Sequence, residues 1–189
     1  MQGLDGRSFR LGTFVSLYNP VSYEAAAQTW KASLDNPASE GPTVSKTLSA
    51  FDNSWSVFLA VTCNDVEWPR DPDVYEQAVD EDREKFPLFG AAGANIMPCA
   101  YWQLERSEPP VPVEADGLTN VLVAQHRRDP VTPLSNGELI NNKFGDRSRL
   151  LTVDGSGHGV YVLGSNECAQ DVITDYLVNG IMPEADRSC

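Results

Sequence analysis

Residues 120–163 read NVLVAQHRRDPVTPLSNGELINNKFGDRSRLLTVDGSGHGVYVL, and this stretch decides the fold. Two short, apolar, β-branched runs, 121–124 and 150–153, each empty into a loop with one chemically distinctive residue. The first loop carries Asp129 in RRDPVTP and the second His158 in GSGHG. Such runs are expected of strands buried on both faces of a parallel sheet. Residues 134–144 between them read as a helix, which Asn136-Gly137 weakens. The pattern therefore predicts an α/β fold, strand–helix–strand–helix, with strands at 120–125 and 149–154.

Downstream, 168–178 reads as the last helix, with Gly180 as its C-terminal stop. Two strands do not form a stable sheet alone, so this unit needs partner strands from elsewhere. Upstream, the chain reads as helices and loops. Asn19-Pro20 has the cap-plus-proline form of a helix start, and Tyr23, Ala26, Ala27, Trp30 and Leu34 follow as one expected buried stripe. A breaker cluster at 36–42 ends that helix. The segment 44–61 places Leu48, Phe51, Trp55, Phe58 and Leu59 on one face, while its apolar end at 57–61 is equally compatible with a strand. Asp71-Pro72 starts another helix, 73–86, with Val74, Tyr75, Ala78 and Val79 inward and a solvated acidic face outward. Residues 90–99 read as loop. The proline-rich EPPVPVE at 108–114 is the best boundary between subregions, so the expected organisation is a helical region, 1–118, and an α/β segment, 119–189.

With 27 acidic against 14 basic residues, the chain of 189 residues carries a formal net charge of −13. That sign repels phosphate backbones and anionic lipid, so neither nucleic acid nor a membrane is an expected partner. A cationic ligand such as a free amino terminus is attracted. The four cysteines, Cys63, Cys99, Cys168 and Cys189, form no C-x-x-C pair, and with two histidines no zinc site or other metal centre is expected. No cofactor motif is present either. The even count at wide spacing fits two disulfides and an oxidising compartment; four buried thiols are the alternative. The opening MQGLDGRSFRLG lacks the apolar core of a signal peptide. Disulfides without a leader are reconciled if the gene product begins upstream of Met1.

Ligands of parallel α/β sheets bind beyond the carboxyl ends of the strands. Asp129 and His158 both lie there, and strands about 4.8 Å apart can bring the two together. An aspartate so placed fixes the imidazole tautomer and stabilises the imidazolium when a nucleophile gives up its proton. Alone, Asp129 reads equally as an Asp-Pro turn and His158 as a polar residue in a glycine loop; the order and context join them. Gly155, Gly157 and Gly159 permit tight turns, but no G-x-G-x-x-G or Walker lysine follows to suggest phosphate binding. His126 reads as a strand-end residue without a role.

Strand, acid, helix, strand, histidine is the order in which α/β-hydrolases close. VLVAQHRRDPVTPLSNGELI, LLTVDGSGHGVYVLGSNECAQDVITDYLVNGIMPEADRSC and the upstream FLAVTCNDVEWPRD resemble the secreted tripeptidyl-aminopeptidase-like branch of that fold, related to proline iminopeptidases. The resemblance implies that Asp129 and His158 are the acid and base of a serine triad. It also implies bridges Cys63–Cys99 and Cys168–Cys189, and a lid formed by the helical stretch before residue 120. No G-x-S-x-G window and no glycine-rich oxyanion loop occurs in the chain, and Ser156 is misplaced to substitute.

The expected function is accordingly the C-terminal part of a secreted serine exopeptidase, releasing residues or short peptides from free amino ends. A separate N-terminal half supplies the nucleophile, and Asp65 and Glu67 bind the substrate ammonium. An esterase or amidase acting on a small molecule, or a non-catalytic fragment that binds a partner, are the alternatives.

Overall fold

The computed structural model describes residues 6–35, 50–104 and 108–189. The breaker cluster at 36–42 and Leu48 lie outside the described residues. The described parts of Met1–Gly41 with Val113–Cys189 form one compact unit, and those of Pro42–Pro112 form another. This differs from a division at residue 118. The first two helices group with the α/β segment because the chain around residues 18–20 contacts the loop that carries His158.

In the first unit, β1 (Val121–Arg128), β2 (Ser148–Ser156) and β3 (Arg187–Ser188) form a parallel sheet in the order β1-β2-β3. The strand–helix–strand–helix reading is present, with β3 as an addition. β3 is too short to leave a periodic signal, and it is placed by the chain end folding back along β2. Leu150 N–H donates to Asp186 Oδ1 (2.8 Å), and Cys189 N–H donates to the Thr152 carbonyl (2.8 Å). Helix α6 (Leu134–Phe144) makes the crossover and α7 (Glu167–Thr174) follows β2. Asn166 caps α7 by accepting from Ala169 N–H at 2.9 Å, and Gly180, at φ 68°, ends the π turn beyond it.

Leu151 and Val153 of β2 are fully buried (0 % exposed) and pack with Val160, Ala169, Val172 and Ile173. Each such side chain contributes about 1.5–3 kcal/mol relative to exposure. The 121–124 run of β1 is half-buried rather than buried on both faces, because β1 pairs only with β2 among the described residues. Gly137, the residue that weakens the α6 pattern, is buried against Gln125. A side chain there would meet Gln125 Cβ at 3.2 Å, so the glycine lets the helix approach the strand.

Two helices precede this sheet in the same unit, α1 (Gly6–Ser16) and α2 (Tyr23–Asp35). Asn19 caps the 3₁₀ turn that opens into α2, its side chain accepting from Val21 N–H at 3.1 Å. The buried stripe expected on α2 is not buried: Leu34 is 83 % exposed, and Trp30 and Ala27 are also exposed. Trp30 instead donates from its indole N–H to Thr13 Oγ1 of α1 (3.0 Å).

The second unit holds α3 (Ala50–Asp65), α4 (Pro72–Lys85) and the single turn α5 (Gly90–Gly93). The ambiguous run at 57–61 is helical, and Trp55, Val57 and Phe58 are exposed. Asp71 caps α4 from Asp73 N–H (3.0 Å), and Tyr75 is buried with its hydroxyl donating to the Pro69 carbonyl (2.8 Å). Val74 points outward, at 49 % exposed, where the helical pattern placed it inward. The buried bridge Cys63–Cys99 ties α3 to the 3₁₀ turn Pro98–Tyr101, while Cys168–Cys189 ties α7 to the chain end. Among the described residues no helix is long and apolar enough to cross a membrane.

Candidate active site

Parallel pairing of β1 and β2 runs in continuous register from Val121↔Ser148 to His126↔Val153, with an irregularity before Arg128↔Ser156. The two carboxyl ends therefore lie side by side, and the loops leaving them meet. Irregularities at such positions re-aim side chains. Asp129 follows β1 directly and His158 lies two residues beyond β2, so the sheet itself brings together residues far apart in sequence.

Asp129 sits in a turn that it organises. Its Oδ1 accepts from the backbone N–H of Val131 (2.8 Å) and Thr132 (2.9 Å), an arrangement that the Asp-Pro start pre-sets. Its Oδ2 accepts from Thr132 Oγ1 (2.9 Å), Gln125 Nε2 (3.3 Å) and His158 Nδ1 (3.0 Å). The carboxylate is 3 % exposed. Burial is the largest single influence on its ionisation and raises the pKa. The opposing hydrogen bonds from Thr132 N–H, Val131 N–H, His158 and the Thr132 hydroxyl together outweigh it, and hold the pKa below the ordinary aspartate value. Asp129 is thus an ionised acceptor at neutral pH. Gln125 adds support from the strand, its amide also donating to the Thr132 carbonyl at 2.7 Å.

His158 is more open, its side chain 39 % exposed. Because a carboxylate only accepts, the 3.0 Å contact requires Nδ1 of His158 to carry the proton. That leaves Nε2 as the basic nitrogen. Its loop is set by glycine: Gly157 has φ 88°, and a side chain there would meet Pro20 Cδ at 2.6 Å and the Tyr18 carbonyl at 2.9 Å. Tyr18 also presents its ring edge-to-face to the imidazole, with centroids 5.6 Å apart at 72°.

Asp65 and Glu67 lie in the other unit. Asp65 ends α3 and Glu67 follows it, both exposed carboxylates. The structure thus joins Asp129 to His158 and leaves Asp65 and Glu67 on a separate body.

Sequence reasoning missed four residues here. Thr132 and Gln125 both bond to Asp129, and a polar residue inside an apolar strand run was the available signal for Gln125. Tyr18 contacts His158 through a long-range turn that no local pattern announces. His126, read as having no role, is buried at 5 % exposed with its Nδ1 3.0 Å from the Gly157 carbonyl oxygen.

A parallel α/β sheet bearing a hydrogen-bonded acid–histidine pair on its carboxyl rim places the chain among α/β proteins of the hydrolase type. The chain belongs to the TAP-like protein family, whose model matches residues 86–189. It is 28% identical to serine protease Hip1 of Mycobacterium tuberculosis in an alignment covering 100% of this chain and 38% of the relative. It is 31% identical to tripeptidyl aminopeptidase of Streptomyces lividans, over 73% of this chain and 26% of that protein. The chain therefore spans well under half the length of these relatives.

Proposed function

We propose that this chain supplies the acid and base of a serine-type peptidase whose nucleophile lies in sequence outside these 189 residues. The observation that carries the reading is the Asp129–His158 pair, with a proton on Nδ1 and Nε2 left basic. In this mechanism Nε2 takes the proton of a serine hydroxyl as the oxygen attacks the acyl carbon. The imidazolium, stabilised by Asp129, then gives that proton to the leaving amine. Water enters by the same base and releases the acyl group. The absence of a G-x-S-x-G window from the chain and its partial coverage of the relatives both favour an external serine. So do the exposed apolar side chains Leu118, Val162 and Val178, which further polypeptide can cover.

The name of one relative, tripeptidyl aminopeptidase, and the acidic balance favour an exopeptidase acting on free amino termini. In this reading the helical stretch before residue 120 serves as the lid, and Asp65 and Glu67 bind the ammonium. The two disulfides favour an extracytoplasmic location. The test is a panel of free and amino-blocked peptides and simple esters, presented to the complete hydrolase and to its His158→Ala variant. Cleavage of free-amino substrates alone, lost in the variant, is expected. Preference for esters or blocked peptides would replace the exopeptidase reading, and full activity in the variant would remove His158 from catalysis.

A further inference from the structure

The peptide unit between Gly157 and His158 is held from two sides. Its carbonyl oxygen is 3.0 Å from His126 Nδ1, and its N–H donates to the Tyr18 carbonyl at 2.7 Å. The C=O and N–H of a trans peptide point in opposite directions, so two such bonds fix the rotation of the plane about the chain. That rotation sets where the His158 side chain leaves the backbone. Glycine at 157 leaves the unit free to turn, because its φ of 88° lies where glycine alone moves without a Cβ penalty. A catalytic loop with this freedom needs an external constraint.

His126 is built to provide it. It lies on β1 at 5 % exposed, and a carbonyl oxygen only accepts, so the contact requires the proton on Nδ1. The ring packs against Gly155. A side chain at 155 would meet His126 Cδ2 at 2.8 Å and Nε2 at 2.9 Å, so the glycine is what admits the ring. Gly155 and Gly157 thus serve one arrangement, in which the first makes room for the donor and the second presents the acceptor.

We propose that His126 is a positioning residue for His158, clamping the peptide unit 157–158 against the Tyr18 carbonyl so that the His158 imidazole stays on Asp129. The proposal rests on the reading of His158 as the base. His126 does not touch substrate or transfer a proton; it limits how far the base can drift. Misplacement of a catalytic group by about 1 Å costs on the order of 100-fold in rate.

The experiment compares His126→Phe, which keeps a ring and loses the donor, with His126→Asn, whose side-chain amide can place an N–H near the Nδ1 position. Both are made in the complete hydrolase, beside His158→Ala. In His126→Phe, kcat is expected to fall about 10- to 100-fold with KM within about twofold, and His126→Asn to recover most of the loss. Nitrogen-15 spectra of histidine-labelled protein, assigned by the resonance lost in His126→Asn, are expected to show His126 as the Nδ1–H tautomer. The tautomer itself is read in the wild-type protein. Wild-type kcat in His126→Phe, equal losses in Phe and Asn, or an Nε2–H tautomer at His126 would each overturn the clamp. If His158→Ala retains activity the general-base reading fails instead; if it is inactive while His126→Phe is unimpaired, only the clamp fails.

Discussion

The carboxyl rim of the β1–β2 pair and the helical body of residues 50–104 are held by different means. On that side, Leu151 and Val153 are fully buried with Val160 and the α7 residues Ala169, Val172 and Ile173, and Asp129 alone gathers five hydrogen-bond donors. In the helical body Tyr75 is the one large apolar side chain that is buried among the described residues, and Trp55, Val57 and Phe58 face outward. There the buried Cys63–Cys99 bridge stands in for a core, together with bonds such as Trp102 Nε1–H to Asn64 Oδ1 (2.9 Å) and Trp68 Nε1–H to the Thr62 carbonyl (3.0 Å). The contrast separates rigidity from mere order. A group that must hold a tautomer sits over close packing, whereas a body that presents side chains is fastened by a cross-link.

The largest expected effect falls at the rim. Asp129→Asn in the complete hydrolase should lower kcat by about 10⁴-fold, because the amide no longer favours the Nδ1–H tautomer of His158. Single-turnover kinetics at neutral pH check this, and a loss below tenfold would break the claim that the rim is functional. Next, Leu151→Ala should cost about 2–5 kcal/mol by leaving a void beneath the sheet, whereas Val57→Ala should change stability by less than about 0.5 kcal/mol. Urea denaturation of the two variants compares the two bodies directly. Replacing Cys63 and Cys99 by serine should cost about 3–4 kcal/mol in the chain-entropy account, since the bridge spans a sequence separation of 36. Hydrogen exchange should then show loss of protection in α3 and α4 and none in β2.

The smallest effect concerns pH. The depressed pKa of Asp129 contributes stability that is fully present above the ordinary aspartate value of 3.8 and is lost as pH falls through the lower folded value. Thr132→Ala removes one donor, raises that folded pKa and so shrinks the pH-dependent part, with a cost of about 1 kcal/mol at neutral pH. Denaturation curves above and below pH 4 test the sign, and an unchanged acid limb would show that the Thr132 hydroxyl contributes nothing to Asp129.

Much of the rim was legible in the sequence because strand period, Asp-Pro turn chemistry and a glycine loop are local signals. They located β1, α6, β2, Asp129 and His158. The clamp was not legible: His126 bonds to Gly157 and Tyr18 to His158, and each contact exists only after the sheet aligns the loops. The helical body was read less well for a related reason. An apolar stripe at helical spacing implies a face to bury, yet Trp55 and Phe58 of this body, like Trp30 and Leu34 of α2 in the other unit, are exposed. Helical spacing locates such a face and does not identify the polypeptide that covers it. β3 was invisible because two residues carry no period, and α1 because its apolar positions are too few to stand out.

The central claim is that Asp129 and His158 serve a serine lying outside residues 1–189. Labelling the complete hydrolase with a fluorophosphonate, followed by peptide mapping, tests it most directly. The account predicts one adduct, on a serine outside this chain, formed at least about 10³-fold more slowly in the His158→Ala variant. An adduct on Ser156 or any other serine within the 189 residues, or labelling at an unchanged rate in the variant, would contradict it.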